Sequence, residues 1–259
     1  LHIRRCGGTF SKQEKAGVSP SSMCYVKEVS TMKKTDLNFA APILGLLAAL
    51  SRNGLYQAGV DERGLLTPGR PEVIYLAVLT LAAVVLCFLN KEPEKSRFRA
   101  GDSYIWFAAA LLWPQSLPDT AASTMRLLFA LSRYIGALLA AALAYFAYRK
   151  KKPVFGLSAG LCICFILRLV ASYQVWSRDP QIQDYLFELL ACLCLTAFFY
   201  QQTALEAGLG SKTWRLRFAF LGCYLCLATW SAPQLSYPYL WFGIGIISLA
   251  LSPAPEGKA

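Results

Sequence analysis

The feature that most constrains this chain is the recurrence of long apolar runs joined by short polar connections. A run of about 20 apolar residues is long enough to cross the hydrocarbon of a bilayer as a helix. Eight runs near that length follow one another, over 37–56, 71–89, 103–120, 126–148, 153–175, 182–203, 216–232 and 237–252. We therefore predict an all-α fold, a polytopic integral membrane bundle of about eight transmembrane helices.

Composition excludes the main alternatives to a membrane bundle. Hydrophobic residues make up 56% of the chain and charged residues only 16%, against roughly 25% charged in an ordinary soluble domain. Such a low charge content does not suit a disordered chain either. Seven of the nine cysteines fall inside the apolar runs, which argues against a disulfide-stapled scaffold.

The third run, 103–120, is the weakest of the eight. Pro114 and Pro118 interrupt it, and its apolar stretch Tyr104–Trp113 is too short to span a bilayer alone. The segment is therefore either a kinked helix or a re-entrant segment. In the second case the chain crosses seven times, and its C-terminus lies on the opposite side from its N-terminus.

The first thirty-one residues are polar and unpatterned, and the chain starts with Leu1. Met32-Lys33-Lys34-Thr35 is a typical bacterial start, and Lys27-Glu28-Val29 can be encoded by a purine-rich ribosome-binding sequence. We expect residues 1–31 to be either a disordered cytoplasmic tail or spurious upstream translation. Residues 32–259 then form a single transmembrane domain. If translation starts at Met32, the protein lacks the chain's only histidine, His2.

The basic residues predict the orientation of the bundle. With eight spans and both termini in the cytoplasm, fourteen Lys and Arg residues fall in the inner connections and five in the outer ones. The run Arg149-Lys150-Lys151-Lys152 is the clearest inner anchor, while Arg52 counts as an outer charge. These loop charges account for the basic balance, so we expect a bacterial inner-membrane location and no nucleic-acid partner. Aromatic residues such as Trp106 are expected near the membrane boundaries.

Three ionisable residues lie well inside the predicted helices: Arg133, Arg168 and Glu188. At about 1.5 Å of rise per residue, all three lie roughly 10–12 Å below the outer surface. Arg126 lies above Arg133 on one helix, and Asp184 precedes Glu188 by one turn on another. We therefore predict that Arg126, Arg133, Arg168, Asp184 and Glu188 form one polar cluster in the outer half of the bundle.

Two interpretations of this cluster remain open. An intramembrane charge costs about 2.5–3.5 kcal/mol at the bilayer centre, and pairing offsets part of that cost. In the first interpretation, the cluster is a purely structural ion pair that fixes helix packing. Alternatively, it lines an outward-facing polar cavity, whose surplus of arginine over carboxylate favours a small anionic solute.

The remaining motifs favour neither catalysis nor metal binding. Without a histidine in the helical part, no Ser-His or Cys-His arrangement is available, and we predict no catalytic residue, no metal site and no cofactor. The Cys223/Cys226 pair lies within an apolar helix, where cysteine behaves as a small hydrophobe. Gly156 and Gly160 form a GxxxG motif, which permits close helix contact within the chain or in a homodimer.

Three functions therefore stand as hypotheses. The first is a small-molecule transporter or integral solute-binding subunit, with the polar cluster as its site. The second is a non-catalytic membrane scaffold or complex subunit that binds a membrane partner, with purely structural buried charges. The third is a lipid-modifying enzyme, which only Glu188 or Asp184 as a base would support. In each case the lipid bilayer is a partner of the chain.

Overall fold

Every element in the described part of the chain is helical. A computed structural model of the protein describes residues 39–58, 70–90, 102–112, 123–149, 155–176, 182–231 and 237–251. These ranges contain eight α-helices and no strand, and all of them belong to one compact unit. The N-terminal segment 1–31, for which we predict a tail or spurious translation, lies outside the described residues.

Each predicted apolar run overlaps one of the helices. They are α1 (Ala40–Ala58), α2 (Pro71–Leu89), α3 (Asp102–Leu112), α4 (Ser123–Tyr148), α5 (Phe155–Trp176), α6 (Ile182–Glu206), α7 (Lys212–Ala228) and α8 (Tyr237–Leu251). A short 3₁₀ turn, Thr229–Ser231, extends α7. Two ends differ in a way that matters below: α6 continues three residues beyond the predicted run, and α7 begins four residues earlier.

Three of the helices contain segments long and apolar enough to cross a membrane, namely Pro71–Leu89, Gly156–Tyr173 and Leu186–Glu206. Shorter apolar helical segments occupy Ala40–Leu55, Ser103–Leu112 and Tyr239–Leu251. The third predicted run is described only as the eleven-residue helix α3, and the two prolines that interrupt it lie outside the described residues.

Helix α7 is the centre of the bundle. It packs against α1, α2, α6 and α8, and nearly every residue from Arg215 to Thr229 is buried. Glycines let its neighbours approach closely: a Cβ atom on Gly45 of α1 would lie 2.6 Å from Leu227, and one on Gly243 of α8 would lie 2.7 Å from Cys226. Small residues at such crossings are typical of membrane helix packing.

Helix α2 is the opposite case, because it lies at the periphery. Its large apolar side chains are mostly exposed, with Ile74, Leu81 and Leu89 at 60%, 66% and 61%. A helix with this pattern suits contact with lipid tails, whereas the largely buried α7 carries two arginines, Arg215 and Arg217.

Side-chain contacts show that α5 and α6 run in opposite directions, as do α7 and α8. The C-terminal half of α5 meets the N-terminal half of α6 through Arg168 and Glu188. The start of α7 meets the end of α8 through Arg215 and the Ala250 carbonyl, and the end of α1 meets the end of α7 through Arg52 and the Ala228 carbonyl. Polar side chains therefore collect at two opposite ends of the bundle.

An aromatic core separates these two ends. Phe165 of α5 stacks on Phe199 of α6 at 5.6 Å and meets Phe242 of α8 edge to face at 5.1 Å. Trp106 of α3 contacts Phe199 and Phe242 and is 1% exposed. Trp106 is thus a core residue rather than a boundary residue, because α3 packs on α8 where Gly245 leaves room for the indole.

Candidate functional site

Arg168, Glu188 and Tyr239 meet at one end of the bundle, and we call these three residues the Arg168 cluster. Nη2 of Arg168 lies 3.6 Å from Oε1 of Glu188. Nε of Arg168 donates a 2.7 Å hydrogen bond to the hydroxyl oxygen of Tyr239, whose ring centroid lies 4.6 Å from the guanidinium carbon. The cluster therefore joins α5, α6 and α8 through one guanidinium group.

The three side chains are buried to different degrees. Arg168 is 3% exposed and Tyr239 is 2% exposed, whereas the side chain of Glu188 is 18% exposed. The contact between Arg168 and Glu188 is also longer than the hydrogen bond to Tyr239. Glu188 is consequently the accessible and more weakly held member of the cluster, and the guanidinium lies behind it.

Arg52 lies at the same end of the bundle and is 4% exposed. Its Nη1 donates to the carbonyl oxygen of Ala228 at 3.4 Å, and its guanidinium carbon lies 5.0 Å from the ring centroid of Phe187. Phe187 directly precedes Glu188 on α6. Arg52 is therefore a buried contact between α1, α6 and α7 rather than an outer loop charge.

The structure brings together two of the five predicted site residues. Arg168 and Glu188 are in contact, while Arg133 on α4 is partly buried and forms no ion pair with any described residue. The Nε atom of Arg133 is buried and has no hydrogen-bond partner among those residues. Arg126 and Asp184 lie on α4 and α6, and their side chains are outside the described set.

A second buried network lies at the other end of the same helices. We call it the Arg215 cluster; it consists of Ser158, Gln202, Glu206 and Arg215. Nη1 and Nη2 of Arg215 donate to Oε1 of Gln202 and to the carbonyl oxygen of Ala250, both at 3.0 Å. Oε1 of Glu206 accepts hydrogen bonds from Nε2 of Gln202 and Oγ of Ser158, both at 2.9 Å. The network connects α5, α6, α7 and α8.

Sequence reasoning missed the Arg215 cluster because of two helix boundaries. The predicted sixth helix stops before Glu206, and the predicted seventh begins after Arg215. Both residues were therefore assigned to the loop between these helices. Gln202 and Glu206 are four residues apart, which places them on one helix face. That pair at the end of an apolar helix was the available signal. Tyr239 was missed because its pairing with Arg168 spans 71 residues.

The buried cysteines act as packing groups. The Sγ atoms of Cys162 and Cys192 donate to the carbonyl oxygens of Thr196 and Phe165, which links α5 to α6. Cys223 and Cys226 are free and fully buried. Within the described ranges, no group of three or more His, Cys, Asp or Glu side chains is placed to hold a metal ion.

The Arg168 cluster can present a buried guanidinium to an anion that displaces Glu188, and the Arg215 cluster holds its guanidinium with neutral acceptors.

Comparison of the chain with protein-family models, curated proteins and solved structures finds no match in any of the three.

Proposed function

We propose that the protein is a multi-pass membrane protein that binds a small anionic solute at the Arg168 cluster, as a transporter or as the solute-binding subunit of one. The observation that carries this proposal is the contact between Arg168 and Glu188. A buried guanidinium is held at 3.6 Å, beyond hydrogen-bond distance, by a carboxylate that is itself partly exposed. A carboxylate or phosphate group of a solute can take the place of Glu188 on Arg168.

The proposed topology has eight spans, with both termini on the cytoplasmic side of a bacterial inner membrane. The opposite directions of α5 and α6, and of α7 and α8, support it, as does the excess of basic residues on one side. Arg52, Arg215 and Arg217 lie within helices and no longer count as loop charges, yet removing them leaves the excess on the same side. The Arg168 cluster then lies toward the outside.

The aromatic core limits what the binding site can do in this conformation. Phe165 is three residues before Arg168 on α5, and Phe242 is three residues after Tyr239 on α8. These rings close the bundle beneath the Arg168 cluster. A solute would therefore bind in an outer site, and its passage would require these helices to move apart.

Thermal unfolding of the purified protein in detergent tests the proposal. The probes are acetate, succinate, inorganic phosphate and sulfate at constant ionic strength, with chloride as the reference. We expect at least one probe to raise the melting temperature of the native chain. Glu188→Gln should strengthen that response because it removes the competing carboxylate, and Arg168→Gln should abolish it.

The controls are Glu206→Gln and Arg149→Gln, which alter a carboxylate and an arginine away from the Arg168 cluster and should leave the response unchanged. Equal stabilisation of the native chain and Arg168→Gln by every probe would contradict the proposal. So would a weaker response in Glu188→Gln than in the native chain.

A second function is favoured by the near-complete burial of Arg168. A guanidinium that is 3% exposed and in contact with two other helices can fix the packing of a membrane scaffold or complex subunit without binding a solute. In that case none of the four anions stabilises the native chain. Arg168→Glu and Glu188→Arg each prevent accumulation, and the two changes together restore it.

A further inference from the structure

Arg217 of α7 is a charged side chain held between two aromatic rings. Its guanidinium carbon lies 4.9 Å from the ring centroid of Phe88 on α2 and 5.0 Å from that of Trp214, one turn earlier on α7. The Sγ atom of Cys87 donates to the backbone carbonyl oxygen of Arg217 at 3.4 Å, which fixes α2 against this part of α7. Cation–π contacts on two sides orient a guanidinium without neutralising its charge.

The position of Arg217 relative to the membrane follows from α2. Phe88 is the penultimate residue of Pro71–Leu89, one of the segments able to cross a bilayer. Phe88 is 54% exposed and Trp214 is 45% exposed, so both rings also reach the surroundings of the bundle. Tryptophan at such a position is typical of the boundary between hydrocarbon and headgroups. If α2 crosses the bilayer, Arg217 is at the level of the lipid headgroups.

No carboxylate among the described residues pairs with Arg217. Among the described residues it forms no ion pair, and its buried Nε has no hydrogen-bond partner. Lys212, at the start of α7, is exposed at the same end of the bundle. The carboxylate of the Arg215 cluster, Glu206, is held by Ser158 and Gln202 instead. The described residues therefore leave the charge of Arg217 open to an anion from outside the chain.

We propose that Arg217, with Trp214 and Phe88, forms a binding site for the phosphate of an anionic phospholipid. A guanidinium binds phosphate through paired hydrogen bonds, and the exposed rings pack on the glycerol and upper acyl region. A net anionic lipid is favoured over a zwitterionic one, whose own ammonium group already neutralises its phosphate. The site is separate from the Arg168 cluster, at the other end of the bundle, and is independent of the function proposed there.

Quenching of Trp214 fluorescence by brominated lipids tests this site directly. The full chain is reconstituted into vesicles of phosphatidylcholine and phosphatidylglycerol in equal parts. Bromine is placed near the carboxyl end of the acyl chains of one lipid or of the other. The contribution of Trp214 is the difference between the native chain and Trp214→Phe, which keeps an aromatic ring. We expect brominated phosphatidylglycerol to quench Trp214 more strongly than brominated phosphatidylcholine.

Arg217→Gln should reduce the enrichment of phosphatidylglycerol at Trp214 by about fivefold, the effect of one basic residue near an anionic surface. Arg217→Lys keeps the charge but not the planar fork, and should retain part of the preference. The matched control is Arg149→Gln. Arg149 is also an arginine that contacts an aromatic ring, but it is exposed and contacts one ring rather than two, that of Tyr145 at 5.6 Å. It should leave the quenching of Trp214 unchanged.

Three results would overturn the proposal. One is equal quenching of Trp214 in the native chain by the two brominated lipids, which needs no variant to fold. Another is an unchanged preference for phosphatidylglycerol in Arg217→Gln. The third is loss of the preference when inorganic phosphate is added at constant ionic strength, because the site would then bind free phosphate rather than a lipid headgroup.

Discussion

The Arg168 and Arg215 clusters bury the same functional group in two different ways. Arg215 directs two terminal nitrogens at neutral oxygens, each at 3.0 Å, and Gln202 links it to the carboxylate of Glu206. Arg168 instead faces the carboxylate of Glu188 directly, at 3.6 Å, and donates a hydrogen bond to the neutral hydroxyl of Tyr239. The Arg215 cluster is therefore built to hold its guanidinium in place, whereas the Arg168 cluster has one partner that a ligand could exchange.

Helices α5, α6 and α8 contribute to both clusters, and α7 adds Arg215 to the second, so the clusters lie at different levels of the same helices. Ser158 and Arg168 are ten residues apart on α5, and Glu188 and Gln202 are fourteen residues apart on α6. These separations correspond to about 15 Å and 21 Å along the helix axes. The aromatic core fills the interval, which lets the two ends differ in polarity and in access.

The largest effect is expected from reversing the charge of Arg168. Arg168→Glu places a second carboxylate beside Glu188 in a buried site and should lower the free energy of unfolding by about 3–5 kcal/mol. Adding Glu188→Arg should recover most of that loss. Reversible unfolding in mixed micelles measures both. If the double variant is no more stable than Arg168→Glu, the direct contact between these two residues is not what holds the end of α5 to α6.

A change in the Arg215 cluster should affect stability without affecting anion binding. Gln202→Leu removes an acceptor from a buried guanidinium and a donor from Glu206, and should cost about 3 kcal/mol. Its control is the neighbouring Gln201→Leu, since Gln201 only accepts an exposed 3.4 Å hydrogen bond from the backbone of Ser211. The same unfolding measurement, repeated with phosphate and sulfate, checks this. A loss of anion response in Gln202→Leu would remove the distinction between the clusters.

Tyr239→Phe probes the neutral partner in the Arg168 cluster. It keeps the ring beside the guanidinium and deletes one buried hydrogen bond to a charged group, which should cost about 2 kcal/mol. Tyr145→Phe is the matched control, because the Tyr145 hydroxyl accepts an exposed 3.3 Å hydrogen bond from Nε of Arg149. Exposed contacts of that kind contribute little. Equal losses in unfolding free energy for the two variants would show that burial of Arg168 adds nothing to this bond.

The smallest effect comes from a hydrogen bond outside both clusters and sets the scale for them. Thr80 of α2 and Tyr224 of α7 are joined by a 2.8 Å hydrogen bond between their hydroxyl oxygens. A double-mutant cycle with Thr80→Val and Tyr224→Phe should give a coupling of about 0.6 kcal/mol, the average for interhelical hydrogen bonds in membranes. A coupling as large as the cost of Tyr239→Phe would mean that neutral pairs hold the bundle as strongly as the guanidinium does.

Hydrophobic periodicity and length predicted the helices well, because each apolar run has to satisfy its backbone internally and only a helix does so within one segment. The run 71–89 coincides with α2. Most large apolar side chains of α2 face outward, so the apolar composition of the segment is enough to predict this helix. The same reasoning lost accuracy at the end of α6 and the start of α7. There Glu206 and Arg215 were assigned to the connecting loop, since a charged residue ends an apolar run whether or not its side chain is buried.

The sequence by itself determined that the chain is helical, where most of its helices lie, and that Arg168 and Glu188 fall within apolar helices, where a charged side chain needs a partner. Tertiary structure alone decided which partners they have, because Tyr239 and Ala250 are brought to their arginines by the packing of α8. Among the described residues it gave Arg133 no ion pair, and it placed Trp106 in the core. Depth in a membrane follows from position along one helix, whereas contact depends on how several helices rotate and cross.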